Sequence, residues 1–137
     1  SGKEKSNLVN LINEKKLSDK ISIIDSVNRD ELIKFYNEAS VLIISSRDEG
    51  GPRVALEALY LEIPVLSTDV GHMDLILPRE LLAKKDNQES LQNLLETYVD
   101  DIDLLNQDAI FEFITNEFSI EEKINKLNKV YSSLLNS

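Results

Sequence analysis

The sequence contains no cysteine. That absence excludes disulfides, thiolate nucleophiles and Cys-based zinc sites together, and it fits a reducing cytoplasm. Histidine is nearly absent too: His72 stands alone, too few for a His-based metal cluster, so no metal is expected. No apolar run approaches the roughly 20 residues needed to cross a bilayer. The first five residues, Ser1-Gly2-Lys3-Glu4-Lys5, are polar, so no signal peptide is expected. Positive charge is scarce, with 15 Lys and Arg against 25 Asp and Glu and a formal net charge of −10. Nucleic-acid binding depends on neutralising phosphates with cations, so no nucleic-acid partner is expected. The acidic residues are spread along the chain, as on a solvated surface. What is present is ordinary for a soluble protein: 137 residues, 42% of them hydrophobic and 29% charged. That predicts one domain, residues 1–137, with a core of its own.

Periodicity divides the chain into alternating helices and short apolar strands. Leu8, Leu11 and Ile12 have helical spacing in a first segment ending near Lys16. Ile21-Ser22-Ile23-Ile24 reads as a short strand, and Leu32, Phe35, Tyr36 and Ala39 as the next helix. Val41-Leu42-Ile43-Ile44 is continuously apolar, as expected of a parallel strand covered on both faces. It runs into the polar, glycine-bearing loop Ser45 to Gly51, after which Pro52 is expected at the first position of a helix reaching about Leu61. Pro64 to Ser67 starts another strand, and a weak one is expected near Leu81-Leu82-Ala83. Beyond it the chain reads as helical. One helix is marked by Leu91, Leu94, Leu95 and Tyr98, and a shorter one by Leu104, Leu105, Ala109 and Ile110. The last begins at a Ser119/Glu122 capping box and carries the stripe Ile120, Ile124, Leu127, Tyr131 and Leu134. The fold class is therefore α/β: a Rossmann-like parallel sheet with flanking helices and a helical C-terminus. Ligands of such sheets collect beyond the carboxyl ends of the strands. The loops expected there are Asp25-Ser26-Val27, Ser46 to Pro52, and Thr68 to Asp74.

The stretch richest in chemistry is Glu49-Gly50-Gly51-Pro52-Arg53-Val54-Ala55-Leu56-Glu57-Ala58. It places a glycine loop before a helix start, whose free N–H groups form a ready anion site. Gly50 and Gly51 have no side chains to block a ligand approaching the backbone. Glu49 at the loop entrance and Glu57 along the helix can accept hydrogen bonds from hydroxyls. A molecule bearing both phosphates and sugars suits that set. On spacing alone, the same pattern is also met in α/β domains without a ligand, with Glu57 as a plain surface residue.

Glu49 and Glu57, separated by seven residues, resemble the paired-glutamate motif of the family-4 retaining glycosyltransferases of GT-B architecture. The segments Leu32 to Ser46, Ala58-Leu59, Ile63 to Gly71 and Phe118 to Tyr131 resemble family segments in the same order. The resemblance implies the donor-binding, C-terminal half of such an enzyme, without its first two strands. It implies that Glu49 contacts the donor sugar and acts in catalysis, and that Glu57 holds the ribose. Gly50, Gly51 and neighbouring Ser46, Pro52 and Arg53 would face the diphosphate, and Val27 the base. No cofactor is implied; the nucleotide sugar, commonly a UDP-sugar, is the substrate.

Some positions depart from the family pattern. Asp25 stands where glycine is usual, Ser45 where proline is frequent, and Gly51-Pro52-Arg53 resembles a subgroup motif. His72 and Asp74 replace a common glycine and glutamate, and His72 is expected to be an exposed loop residue. The family's basic pair, its first two strands and its acceptor-binding domain would precede Ser1. Without those strands, 21–24 and 41–44 are not expected to be neighbours. Arg53 is expected to replace part of the lost positive charge. The parent enzyme would build cell-surface polysaccharide or glycolipid on a glycan or lipid-linked acceptor. It would work in the cytoplasm, at the inner face of the membrane, with the chain alone inactive. A sugar-nucleotide epimerase, a glycogen synthase relative and a non-catalytic module that kept the fold remain open alternatives.

Overall fold

The continuously apolar run at 41–44 and the segment beginning at Pro64 become the first two strands of a parallel sheet. In the computed structural model, which describes residues 4–135, β1 is Leu42–Ile44, β2 is Val65–Thr68 and β3 is Leu82–Ala83. The order is β1-β2-β3, with Ile43 opposite Leu66 and Thr68 opposite Ala83. Every residue of β2 is buried, which is why its sequence is apolar or small throughout rather than alternating. Ile43 on the edge strand β1 is exposed.

Six α-helices accompany the sheet among the described residues. These are α1 (Lys5–Glu14), α2 (Arg29–Glu38), α3 (Arg53–Tyr60), α4 (Gln88–Tyr98), α5 (Asp108–Phe118) and α6 (Ile120–Leu135). By its internal contacts the chain forms two compact units, divided after Asn37. The second holds the sheet. There α3 packs against β1, β2 and α5 through Ala55, Ala58 and Leu59, all fully buried. Their i, i+3, i+4 spacing puts them on one helix face. Burial of Leu59 alone stabilises the fold by about 1.5–3 kcal/mol. Leu66, Met73 and Ile114 complete the centre of this core.

Pro52 is not the first helical residue. It caps α3 with φ −82° and ψ 30°, and its carbonyl accepts the first helical hydrogen bond, from Leu56 N–H at 2.8 Å. The helix then ends in a Schellman motif. Ile63 N–H reaches Ala58 O at 2.9 Å and Glu62 N–H reaches Leu59 O at 3.1 Å, with Glu62 at φ +58°.

Where a helix was expected across 104–110 the structure has a break. A 3₁₀ turn, Ile102–Leu104, precedes α5, and side chains bend the backbone on either side. Asp101 accepts from Asp103 N–H at 3.2 Å and Asn106 from Asp108 N–H at 3.1 Å. Such short-range bonds compete with helix continuation. The Ser119 cap is present, its hydroxyl accepting from Glu122 N–H at 3.1 Å, and Lys123 lies 5.2 Å over the Phe118 ring. Of the expected stripe on α6, Ile124 and Leu127 are exposed. The side chains of Ile120, Tyr131 and Leu134 lie outside the described residues.

In the first unit, no strand forms at Ile21 to Ile24, contrary to expectation. Ile21 and Ile24 are 43% and 52% exposed. Lys20 and Ile21 instead turn back, both N–H groups donating to Leu17 O at 3.0 and 2.9 Å. A strand exists only through a paired neighbour, and the parallel sheet lies wholly within residues 42–83. The helix that follows opens with a reciprocal capping box. Asn28 Oδ1 accepts from Glu31 N–H at 2.9 Å, and Glu31 Oε2 accepts from Asn28 N–H at 3.0 Å.

Candidate functional site

Because the three strands are parallel, the loops that leave them gather at one end of the sheet, where ligands of open α/β sheets bind. Three exits lie there: residues 45–52 after β1, 69–72 after β2 and 84–86 after β3. Beside the first of them the surface is recessed, lined by Ile44, Ser46, Glu49, Pro52, Ala55 and Met73.

The exit of β1 is held in shape by its neighbours. Thr68 at the end of β2 is buried, and its hydroxyl donates to the Ser46 carbonyl at 2.6 Å, with the Ile44 carbonyl 3.3 Å away. Ser46 Oγ in turn donates to Glu49 Oε1. From the β3 exit, Lys85 donates to Asp48 at 2.6 Å, while Asp86 lies 3.5 Å from Arg47. The hydrogen bond to Asp48 raises the pKa of the Lys85 ammonium above its ordinary value. These ion pairs are exposed and so individually weak. They do cross between the same two loops, which fixes one against the other.

Gly50 and Gly51 are required by nothing in the chain itself. A Cβ built on either meets no atom within 4 Å, and neither has a positive φ. Gly71 is the opposite case. It has φ +57°, and a Cβ there would stand 2.7 Å from Glu49 Cβ and 2.9 Å from the Glu49 carbonyl oxygen.

At the helix start, geometry leaves the N–H groups of Arg53, Val54 and Ala55 without intrahelical acceptors, and Pro52 supplies no side-chain cap. Arg53 and Glu57 are both exposed, with Nε and Oε1 at 3.6 Å along one helix face. The structure thus brings Ser46, Glu49, Gly50, Gly51, Pro52, Arg53 and Glu57 into one loop and the first turns of one helix. Val27 lies in the first unit, just before the capping box of α2. His72 is exposed, with φ +65°. Sequence reasoning missed the roles of Thr68 and Gly71 as supports for the Glu49 loop; an isolated glycine just past a strand was the available signal. Among the described residues there is no cluster of His, Cys, Asp or Glu that could hold a metal. Nor is any helix among them long and apolar enough to cross a membrane.

Comparison with known proteins gives the family and the fold. The family model described as "Glycosyl transferases group 1" matches residues 1–109. The chain is 27% identical, across 83% of its length, to an "uncharacterized glycosyltransferase MJ1178" of Methanocaldococcus jannaschii. It is 34% identical, across 51%, to the O-antigen biosynthesis glycosyltransferase WclY of Escherichia coli. It spans 34% of the first relative and 19% of the second. Its fold is similar to that of sucrose-phosphate synthase from Thermosynechococcus elongatus, with a TM-score of 0.74 and 23% identity over 98% of this chain and 35% of that one. The fold is thus a fragment of the GT-B architecture, and the chain belongs to the group 1 glycosyltransferases.

Proposed function

We propose that this chain is the nucleotide-sugar-binding part of a retaining glycosyltransferase, with a UDP-sugar as donor. The observation that carries the reading is the pair of glycines before an uncapped helix start. Neither backbone conformation nor internal packing calls for glycine at 50 or 51, so an approaching ligand is what the open backbone serves. The amides of Gly50, Gly51 and the first turn of α3 face the diphosphate, an arrangement that favours an anion. Glu49 accepts hydrogen bonds from the sugar hydroxyls and Glu57 from the ribose. Stabilising the departing nucleoside diphosphate with preorganised donors promotes the transfer. Arg53 at the mouth of the helix adds positive charge to that end.

The relative named for O-antigen biosynthesis supports a role in building a cell-surface glycan for the longer protein; a lipid-linked acceptor and a place at the inner face of the cytoplasmic membrane are part of the same proposal. The acceptor site and the basic pair that grips the diphosphate belong to that longer protein, so sugar transfer by the isolated chain is not expected. Its detection would overturn this division of labour.

The test is a titration of the 137-residue chain with UDP, UDP-glucose and uridine, followed by two-dimensional amide NMR. Shifts confined to Gly50, Gly51 and the start of α3 are expected, with dissociation near millimolar, about −4 kcal/mol. Glu57→Gln and Gly51→Ala should each weaken UDP binding while leaving the urea midpoint in place. A spectrum unmoved by UDP, ADP and GDP alike sinks the reading. A second reading rests on the Arg53–Glu57 pair: Glu57 as a helix-surface ion-pair partner. In that case Glu57→Gln costs only about 0.3–0.5 kcal/mol of stability and leaves UDP affinity unchanged.

A further inference from the structure

We propose that Gly71 is the positioning residue for Glu49, and through it sets how much the donor sugar adds to nucleotide affinity; this rests on the donor-binding reading above. Two independent constraints meet at this residue. Its φ of +57° disfavours any residue with a Cβ. Separately, the place of that Cβ is already occupied, with Glu49 Cβ at 2.7 Å, its carbonyl oxygen at 2.9 Å and its carbonyl carbon at 3.2 Å. The neighbours are mostly backbone and cannot swing aside like the end of a flexible side chain. Anything larger than glycine must therefore displace Glu49 itself.

The chain folds the exit of β2 onto the Glu49 loop by placing two successive residues, Gly71 and His72, at φ +57° and +65°. Hydrogen bonds fix both ends of that bend, Val70 N–H to Thr68 O at 2.9 Å and Met73 N–H to Val70 O at 3.0 Å. Met73 is anchored in the core. Thr68 holds the Ser46 carbonyl from the same segment. The β2 exit thus grips the loop at Ser46 and presses on it at Glu49. Since Ser46 Oγ donates to the Glu49 carboxylate, both backbone and carboxylate are set from this side. Binding groups must be held within about 0.5 Å of the productive geometry, so the glycine is needed at 71 for placing the carboxylate rather than for the turn alone.

The readout is the ratio of UDP-glucose to UDP affinity in the 137-residue chain. A charge-assisted hydrogen bond from Glu49 predicts a wild-type ratio of roughly tenfold or more. Gly71→Ala and Gly71→Asn are both expected to bring the ratio to near one. The displaced Glu49 carbonyl carbon is bonded to Gly50 N, so UDP affinity falls as well, and the ratio rather than either affinity is the readout. Asn tolerates the left-handed conformation yet still carries the Cβ, so its failure identifies the contact as the cause. Glu49→Gln should remove the same increment, and Gly71→Ala should take nothing further from it. Folded Gly71 variants that keep the increment overturn the proposal. A wild-type chain that binds UDP but gains nothing from the sugar also overturns it, and leaves nucleotide binding standing. If the chain binds no nucleotide, the donor-binding reading fails, and with it this proposal's sugar role. The contact itself is still read in the wild-type chain, as a nuclear Overhauser effect between the Gly71 Hα and Glu49 Hβ protons. That signal supports the positioning contact even if the variants fail to fold, and its absence overturns it.

Discussion

Replacing Gln107 with alanine should cost roughly 3–5 kcal/mol, a large part of the stability of a domain this size. Gln107 is 2% exposed, and its amide exchanges two hydrogen bonds with the backbone of one strand residue. Val65 N–H donates to Oε1 at 3.1 Å, and Nε2 donates to the Val65 carbonyl at 3.0 Å. The reason lies in the sheet. Pro64 O accepts from Leu42 N–H on the β1 side, so the polar groups of the next residue point to the opposite side. There β3 has only two residues, paired with Ser67 and Thr68, and does not reach Val65. The side-chain amide stands in for the missing length of strand. Alanine leaves a buried N–H and a buried C=O without partners, each at about 1–3 kcal/mol, along with a cavity. Gln107→Leu should recover the cavity contribution only, and so remain destabilised by more than about 2 kcal/mol. Urea unfolding followed by circular dichroism checks the series. A loss below about 1 kcal/mol for Gln107→Ala would mean that the two backbone groups find other partners.

The same residue shows what the sequence does and does not disclose. A glutamine between Asn106 and Asp108 looks like any polar surface residue, because its partner is 42 positions away. The strand β1 was legible for the opposite reason: an apolar run that does not alternate, bounded by turn residues, needs no knowledge of the partner, and β2 showed itself by Val65-Leu66 after Pro64. The run at Ile21 to Ile24 has that composition too, but a strand is a property of a pair, and composition does not reveal whether the pair exists. Helix ends were blurred where the left-handed positions hold Lys16 and Glu62 instead of glycine. The candidate loop could be singled out because its chemistry is local, with Glu49, the two glycines and Glu57 within nine positions. What supports that loop could not, since Thr68 and Gly71 act on it across 22 residues each. Pro52 fell one position outside the helix it opens, the ordinary uncertainty of a helix boundary.

Ala58→Leu is the second large effect, expected at about 3 kcal/mol, the upper end of what overpacking a core costs. Ala55, Ala58 and Leu59 form the buried face of α3, and the two alanines let the helix lie close to β1, β2 and α5. Three extra carbons at Ala58 find no space, since the residue is fully buried on a helix packed against both the sheet and another helix. The helix must move outward or the leucine must leave its preferred rotamers. Val54→Leu provides the control on the same helix. Val54 is 50% exposed, so the change there should stay within about 0.5 kcal/mol. Outward movement of α3 also pulls on Gly51 and Gly50, to which it is joined through Pro52, and so distorts them against the part of the loop that Thr68 holds at Ser46. UDP affinity in Ala58→Leu should therefore fall along with stability, whereas Gln107→Ala, acting at the far end of β2, should lower stability and leave the affinity of the folded fraction unchanged. If both variants keep full affinity, the start of α3 contributes nothing to binding, and the phosphate contacts come from the loop amides alone.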